Sequence, residues 1–78
     1  MTKLQQEIIQ IVNRSQGIKA TDLAVQLVGK FIEVEIPDIL NCIDDLVNDG
    51  ALVRIIFKIP NTKERIFYVP QGTRVLSS

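Results

Sequence analysis

Apolar residues recur along this chain at two periods, and the change of period divides it. Leu4, Ile8, Ile11 and Val12 lie three and four apart, the repeat of one helix face. Thr2 stands at the N-cap position with Gln5 three residues on, a capping-box pattern. Ser15-Gln16-Gly17 ends this helix, with Gly17 in the left-handed conformation past the C-cap. Ile9 falls off the stripe, as a second buried edge or as an exposed residue. Ile18 then reads as one extended residue. The spacing predicts a second helix over about residues 20–28, burying Ala20, Leu23, Ala24, Leu27 and Val28 and stopping at Gly29. Residues 30–35 alternate too briefly for a strand and read as an ordered loop. The third helix carries Pro37 in its first turn, where a missing N–H costs nothing. Its apolar stripe is Ile36, Ile39, Leu40, Ile43, Leu46 and Val47, and Gly50 closes it at C′.

After Gly50 the period falls from 3.6 to 2. Residues 52–59 and 65–69 are rich in β-branched and aromatic side chains. The polar string Pro60-Asn61-Thr62-Lys63-Glu64 between them makes the pair a β-hairpin. Val53, Ile55, Phe57 and Ile59 fall on one strand face; Leu52 and Ile56 share the other with Arg54 and Lys58. Pro70 ends the second strand, and residues 71–78 read as a tail with Val75 and Leu76 as apolar points within it. The fold class expected is α+β: three helices followed by a C-terminal two-stranded hairpin, in one domain covering residues 1–78.

Composition narrows the function. With 78 residues and no histidine, the chain lacks the side chain that most often transfers protons near neutral pH. One cysteine, Cys42, allows no internal disulfide and too few ligands for a structural zinc. It sits one position before Ile43 with no base near in sequence, which reads as a buried, inert thiol. The serines have no base to activate them. These features exclude the usual nucleophilic and metal chemistries and point to a non-enzymatic protein that needs no cofactor. No apolar run approaches membrane-spanning length, and the opening Met1-Thr2-Lys3-Leu4-Gln5-Gln6-Glu7 is no export signal. An unpaired thiol without such a signal suits the cytoplasm. The start at Met1 and the lack of a linker suggest a stand-alone protein.

The order of elements and three strings within it resemble the winged helix-turn-helix family. Gly17-Ile18-Lys19-Ala20-Thr21-Asp22-Leu23-Ala24 looks like the entry to that family's second helix. Leu46-Val47-Asn48-Asp49-Gly50-Ala51-Leu52-Val53-Arg54 looks like its third helix turning into the wing. Arg65-Ile66-Phe67-Tyr68-Val69-Pro70 looks like the returning strand. The resemblance covers about residues 3–70. It implies a small winged helix that regulates transcription by laying the third helix in the DNA major groove and its wing on the backbone or minor groove.

Charge departs from that pattern. Nine Lys+Arg balance nine Asp+Glu, but unevenly. Residues 31–50 hold six acids (Glu33, Glu35, Asp38, Asp44, Asp45 and Asp49) and no base; residues 51–78 hold five bases and one acid, Glu64. DNA affinity comes largely from bases that neutralise phosphates, and the third helix offers Asp38, Asn41, Asp45 and Asn48 on its polar face. Two readings stay open. In one, DNA is gripped by the wing through Arg54, Lys58, Lys63 and Arg65, with Arg74 following. In the other, Asp38, Asn41, Asp45 and Asn48 meet a basic protein partner. The charges of the hairpin also serve to guard a sheet edge against aggregation, and the acids as a metal site are outweighed by a solvated acidic face. Both hairpin faces are partly apolar, and Ile9, Val25, Phe31, Ile32 and Val34 lack evident core positions. That surplus predicts a homodimer or a docking face for a larger partner.

Overall fold

The computed structural model describes residues 2–73. Its elements are α1 (Lys3–Ser15), β1 (Ile18–Lys19), α2 (Ala20–Lys30), α3 (Ile36–Asn48), β2 (Leu52–Phe57) and β3 (Arg65–Pro70). The fold is α+β, with three helices against a three-stranded antiparallel sheet of order β1-β3-β2. The third strand corrects the expectation of a two-stranded hairpin. Ile18 is not alone: it pairs with Tyr68, and Lys19 pairs with Phe67. A hairpin leaves the far edge of β3 with unpaired backbone groups. The two residues of β1 satisfy part of that edge while Ile18 enters the core.

Local chemistry sets the helix ends. Gln5 N–H donates to Thr2 Oγ1 at 3.2 Å, and Thr2 N–H to Gln5 Oε1 at 3.0 Å, so the capping box forms as expected. At the end of α1 the left-handed residue is Gln16 (φ 55°), one position before the one expected; Gly17 follows at φ 142°. α3 closes with Gly50 at φ 81°. Ala51 N–H reaches Leu46 O at 2.9 Å and Gly50 N–H reaches Val47 O at 3.1 Å, the paired bonds of a Schellman motif. Gly29 does not stop α2, which runs on to Lys30; a glycine inside a helix costs only about 1 kcal/mol. Phe31 N–H bonds to Leu27 O at 2.8 Å, and the Phe31 ring packs against the core.

The core joins Ile8, Ile11 and Val12 of α1, Leu23 and Leu27 of α2, Ile39, Ile43 and Leu46 of α3, and Ile18, Leu52 and Tyr68 of the sheet. Ile9, Phe31 and Val34 pack at its margin, which absorbs three of the surplus residues. Val28, Ile36 and Leu40, expected inside, are exposed. Each helix buries a stripe narrower than its apolar pattern, because the sheet covers only one side of so small a bundle. β2 ends at Phe57, two residues short of the expected limit, and β3 extends through Pro70. The tip between them turns on Ile59–Thr62: Thr62 N–H donates to Ile59 O at 3.1 Å, and Asn61 has φ 68°, as a Pro-Asn type II turn requires. No helix among the described residues is long and apolar enough to cross a membrane.

Candidate functional site

Strand register sorts the hairpin into two faces. Leu52, Arg54 and Ile56 of β2 lie opposite Pro70, Tyr68 and Ile66 of β3; Val53, Ile55 and Phe57 lie opposite Val69, Phe67 and Arg65. The first face turns toward the helices, because Leu52 and Tyr68 belong to the core. Arg54 therefore points to the helix side. Its guanidinium Nη2–H donates to Asp44 Oδ1 on α3, and its Nε–H donates to the Tyr68 hydroxyl at 3.3 Å. The guanidinium carbon stands 5.5 Å from the Tyr68 ring centroid, within cation–π range. Bonding to Asp44 first, and to Tyr68 second, raises the Arg54 pKa further above its ordinary value. The residue expected to lead phosphate contact thus already has a carboxylate and an aromatic face.

The ion pair fixes which side of α3 meets the hairpin. Leu40 precedes Asp44 by one turn and Ile36 precedes Leu40 by another, so the three share one edge of the helix. On β2, Ile56 follows Arg54 on the same strand face. The edge of α3 toward the hairpin thus carries Ile36 and Leu40, and β2 carries Ile56 beyond Arg54; they are 54%, 49% and 55% exposed. A neutralised pair lies among them. Beyond Leu40 the helix presents Asp38, Asn41, Asp45 and Asn48, all exposed. The four partner-binding candidates do share one surface. Among the described residues the ion pairs are Lys30–Glu7, at 2.7 Å, and Arg54–Asp44, so neither Asp38 nor Asp45 is neutralised there.

The basic candidates are dispersed. Lys58 and Lys63 are exposed in the segment between the strands. Lys58 does not share a strand face with Arg54 as expected, because β2 has ended. Arg65 is exposed at the start of β3, opposite Phe57 and on the face away from the helices. Arg74, with Val75 and Leu76, lies outside the described residues. Cys42 is half-buried; burial first, and the charge of Asp45 second, push its thiol pKa up. That is the opposite of what activates a nucleophile. Among the described residues no three His, Cys, Asp or Glu are grouped so as to hold a metal ion. Tyr68 is buried against the core with its hydroxyl accepting from Arg54.

Sequence reasoning missed Asp44 as the partner of Arg54, and Leu40 as a surface residue. One signal was available: Ile36, Leu40 and Asp44 form an i, i+4 series that ends in a carboxylate, so this edge of the stripe runs out of the core. Compared with protein families, with curated proteins and with solved structures, the chain has no match.

Proposed function

We propose that this chain is a winged-helix protein-interaction module, not an enzyme, and that the exposed side of α3, next to the hairpin, receives a basic, amphipathic partner surface. The order of three helices and a hairpin, with a short strand before α2 pairing on the hairpin, supports the winged-helix reading. One observation carries the functional one: Arg54 is paired with Asp44 beside exposed Leu40 and Ile56. The exposed side of α3 is therefore apolar along its edge toward the hairpin and acidic on its outer face. On the outer face of α3 phosphates would meet Asp38 and Asp45 with no counterion between them, which repels, while a partner's lysines would gain attraction there; apolar residues of a partner that also reaches the hairpin edge would cover Leu40 and Ile56. The transcription-regulator reading, with duplex DNA bound by the wing, keeps support from the exposure of Lys58, Lys63 and Arg65 at the hairpin's outer end.

Two fluorescence-anisotropy titrations at about 50 mM salt, where charge attraction is little screened, decide between them. One uses a labelled helical peptide with Leu on one face and Lys on the other; the other uses a labelled DNA duplex. The peptide is expected to bind, and Leu40→Lys to weaken it about tenfold, a loss of about 1.4 kcal/mol. Duplex binding that Lys58→Glu with Lys63→Glu abolishes, beside an unbound peptide, overturns the proposal in favour of wing-led DNA contact.

A further inference from the structure

The sheet has two edges, and they are finished differently. At one, the two residues of β1 pair on β3, and Lys19 there is exposed. A very short strand that carries a lysine is a guarded edge. At the other lies β2. It pairs with β3 residue for residue from Leu52 to Phe57, so it holds no bulge, and it contains no proline. An antiparallel strand bonded on one side turns the N–H and C=O of every second residue to the other side. Among the described residues no strand pairs on that side of β2, and no turn or loop backbone group bonds to Leu52–Phe57. The one charge in the strand, Arg54, is drawn to Asp44 on α3 and does not guard the edge. Toward the hairpin tip Ile56 and Phe57, on opposite faces, are both half-exposed.

What such an edge lacks is another strand, and β2 itself supplies one that fits. We infer that β2 pairs antiparallel with β2 of a second copy, across a two-fold axis normal to the sheet, joining two sheets into one. Such an axis keeps the helices of both copies on the same side of the joined sheet. Helix-side residues therefore oppose helix-side residues, and outer ones oppose outer ones. That parity leaves few registers. Centring the axis on Arg54 opposes Arg54 to its own equivalent, and centring it on Ile56 opposes Arg54 to Lys58. Like charges directly opposed are destabilising. Centring it farther out, on Val53 or Phe57, leaves much of the strand unpaired. Centred on Ile55, the pairing sets Ile55 against its equivalent, Val53 against the copy's Phe57 and Arg54 against the copy's Ile56. None of these opposes like charges. The contact is isologous, the same patch on both copies, and it closes at a dimer. A six-residue edge buries less than the roughly 1,600 Å² of a standard interface, so a dissociation constant on the order of 10–100 μM is expected. The dimer goes beyond the α3 reading and does not rest on it.

Two measurements on the full chain test it. In sedimentation velocity, wild type is expected to pass from an 8.8 kDa monomer to a dimer between about 1 μM and 1 mM, and to grow no further. Ile56 is half-exposed, so its variants are expected to fold, as circular dichroism will check. Ile56→Glu sets a carboxylate opposite the copy's Arg54 and is expected to tighten the dimer about threefold. Ile56→Arg sets like charges there and is expected to loosen it about tenfold. In amide hydrogen exchange read by NMR, alternate residues of β2 are expected to exchange more slowly as concentration rises, the mark of a new backbone ladder. Should a variant misfold, the exchange measurement on wild type decides alone. A wild type still monomeric at about 1 mM overturns the inference. So does a dimer that the two variants shift in the same direction or leave unmoved, and so does one that brings no concentration-dependent protection to β2. The Lys/Leu peptide titration judges the α3 reading separately, whichever way these results fall.

Discussion

Arg54 shows how position decides the use of a charge. On an open wing a guanidinium is a phosphate ligand; on the helix side of this sheet it is a tie between β2 and α3. The tie is half-exposed, with side-chain exposures of 31% for Arg54 and 54% for Asp44. Solvent screening holds such a pair to about 1 kcal/mol or less. Arg54→Ala is expected to cost more than Asp44→Ala, because it also removes the stacking on Tyr68. A double-mutant cycle by urea unfolding measures the coupling, and zero coupling would dismiss the tie. At Cys42 the folded state raises the thiol pKa, so the unfolded chain loses that proton first as pH rises. The folded state then holds more protons, and stability falls as pH climbs past the ordinary thiol value. Below it the stability does not change through this group, and Cys42→Ala is expected to remove the alkaline slope in the same urea titration. Iodoacetamide is likewise expected to alkylate Cys42 more slowly in the folded protein than in urea. Little of this was legible in the chain. Arg54 and Asp44 lie ten positions apart across a turn, and nothing local says which side of the strand a helix will cover.

Single elements were easier to read. The capping box on Thr2, Pro37 in the first turn of α3 and Gly50 at its C′ position depend on neighbours within a few residues, and each formed as its spacing predicts. The boundaries that moved did so where tertiary contact outweighed propensity. α2 passes through Gly29 because Leu27 and the docked Phe31 hold its end, and β2 stops at Phe57 because the Pro60-Asn61 turn takes the chain away. Two glycine substitutions separate these effects. At Gly29, helical and with nothing within 4 Å of an added Cβ, Gly29→Ala is expected to stabilise by about 0.5–1 kcal/mol. At Gly17, φ is 142° and a Cβ would stand 3.4 Å from Val69 Cγ1, so Gly17→Ala is expected to destabilise by about 1–3 kcal/mol. Thermal melts of the two variants should move in opposite directions.

At the scale of the whole molecule, 78 residues give a core that every element must share. Leu23 is fully buried where α2 meets the rest. Leu23→Ala is expected to cost about 2–5 kcal/mol, a large part of the roughly 5–15 kcal/mol that holds a typical domain folded. Chemical denaturation should show a midpoint shift with little change of slope. The same small size explains the surface. The core cannot take in all the apolar side chains, and Val25, Val28, Ile32, Ile36, Leu40, Ile56, Phe57 and Ile59 stay exposed.

The amino-acid order by itself determined the helices, the hairpin and the acidic character of α3, because periodicity, caps and turn residues act over a few positions. It also marked an apolar surplus without placing it. Only the tertiary structure decided that β1 joins the sheet, that Arg54 turns inward to Asp44, and that Leu40 and Phe57 stay outside. Those outcomes depend on which face of each element finds a neighbour, and burial is a property of the assembled surfaces, not of any one stretch of chain.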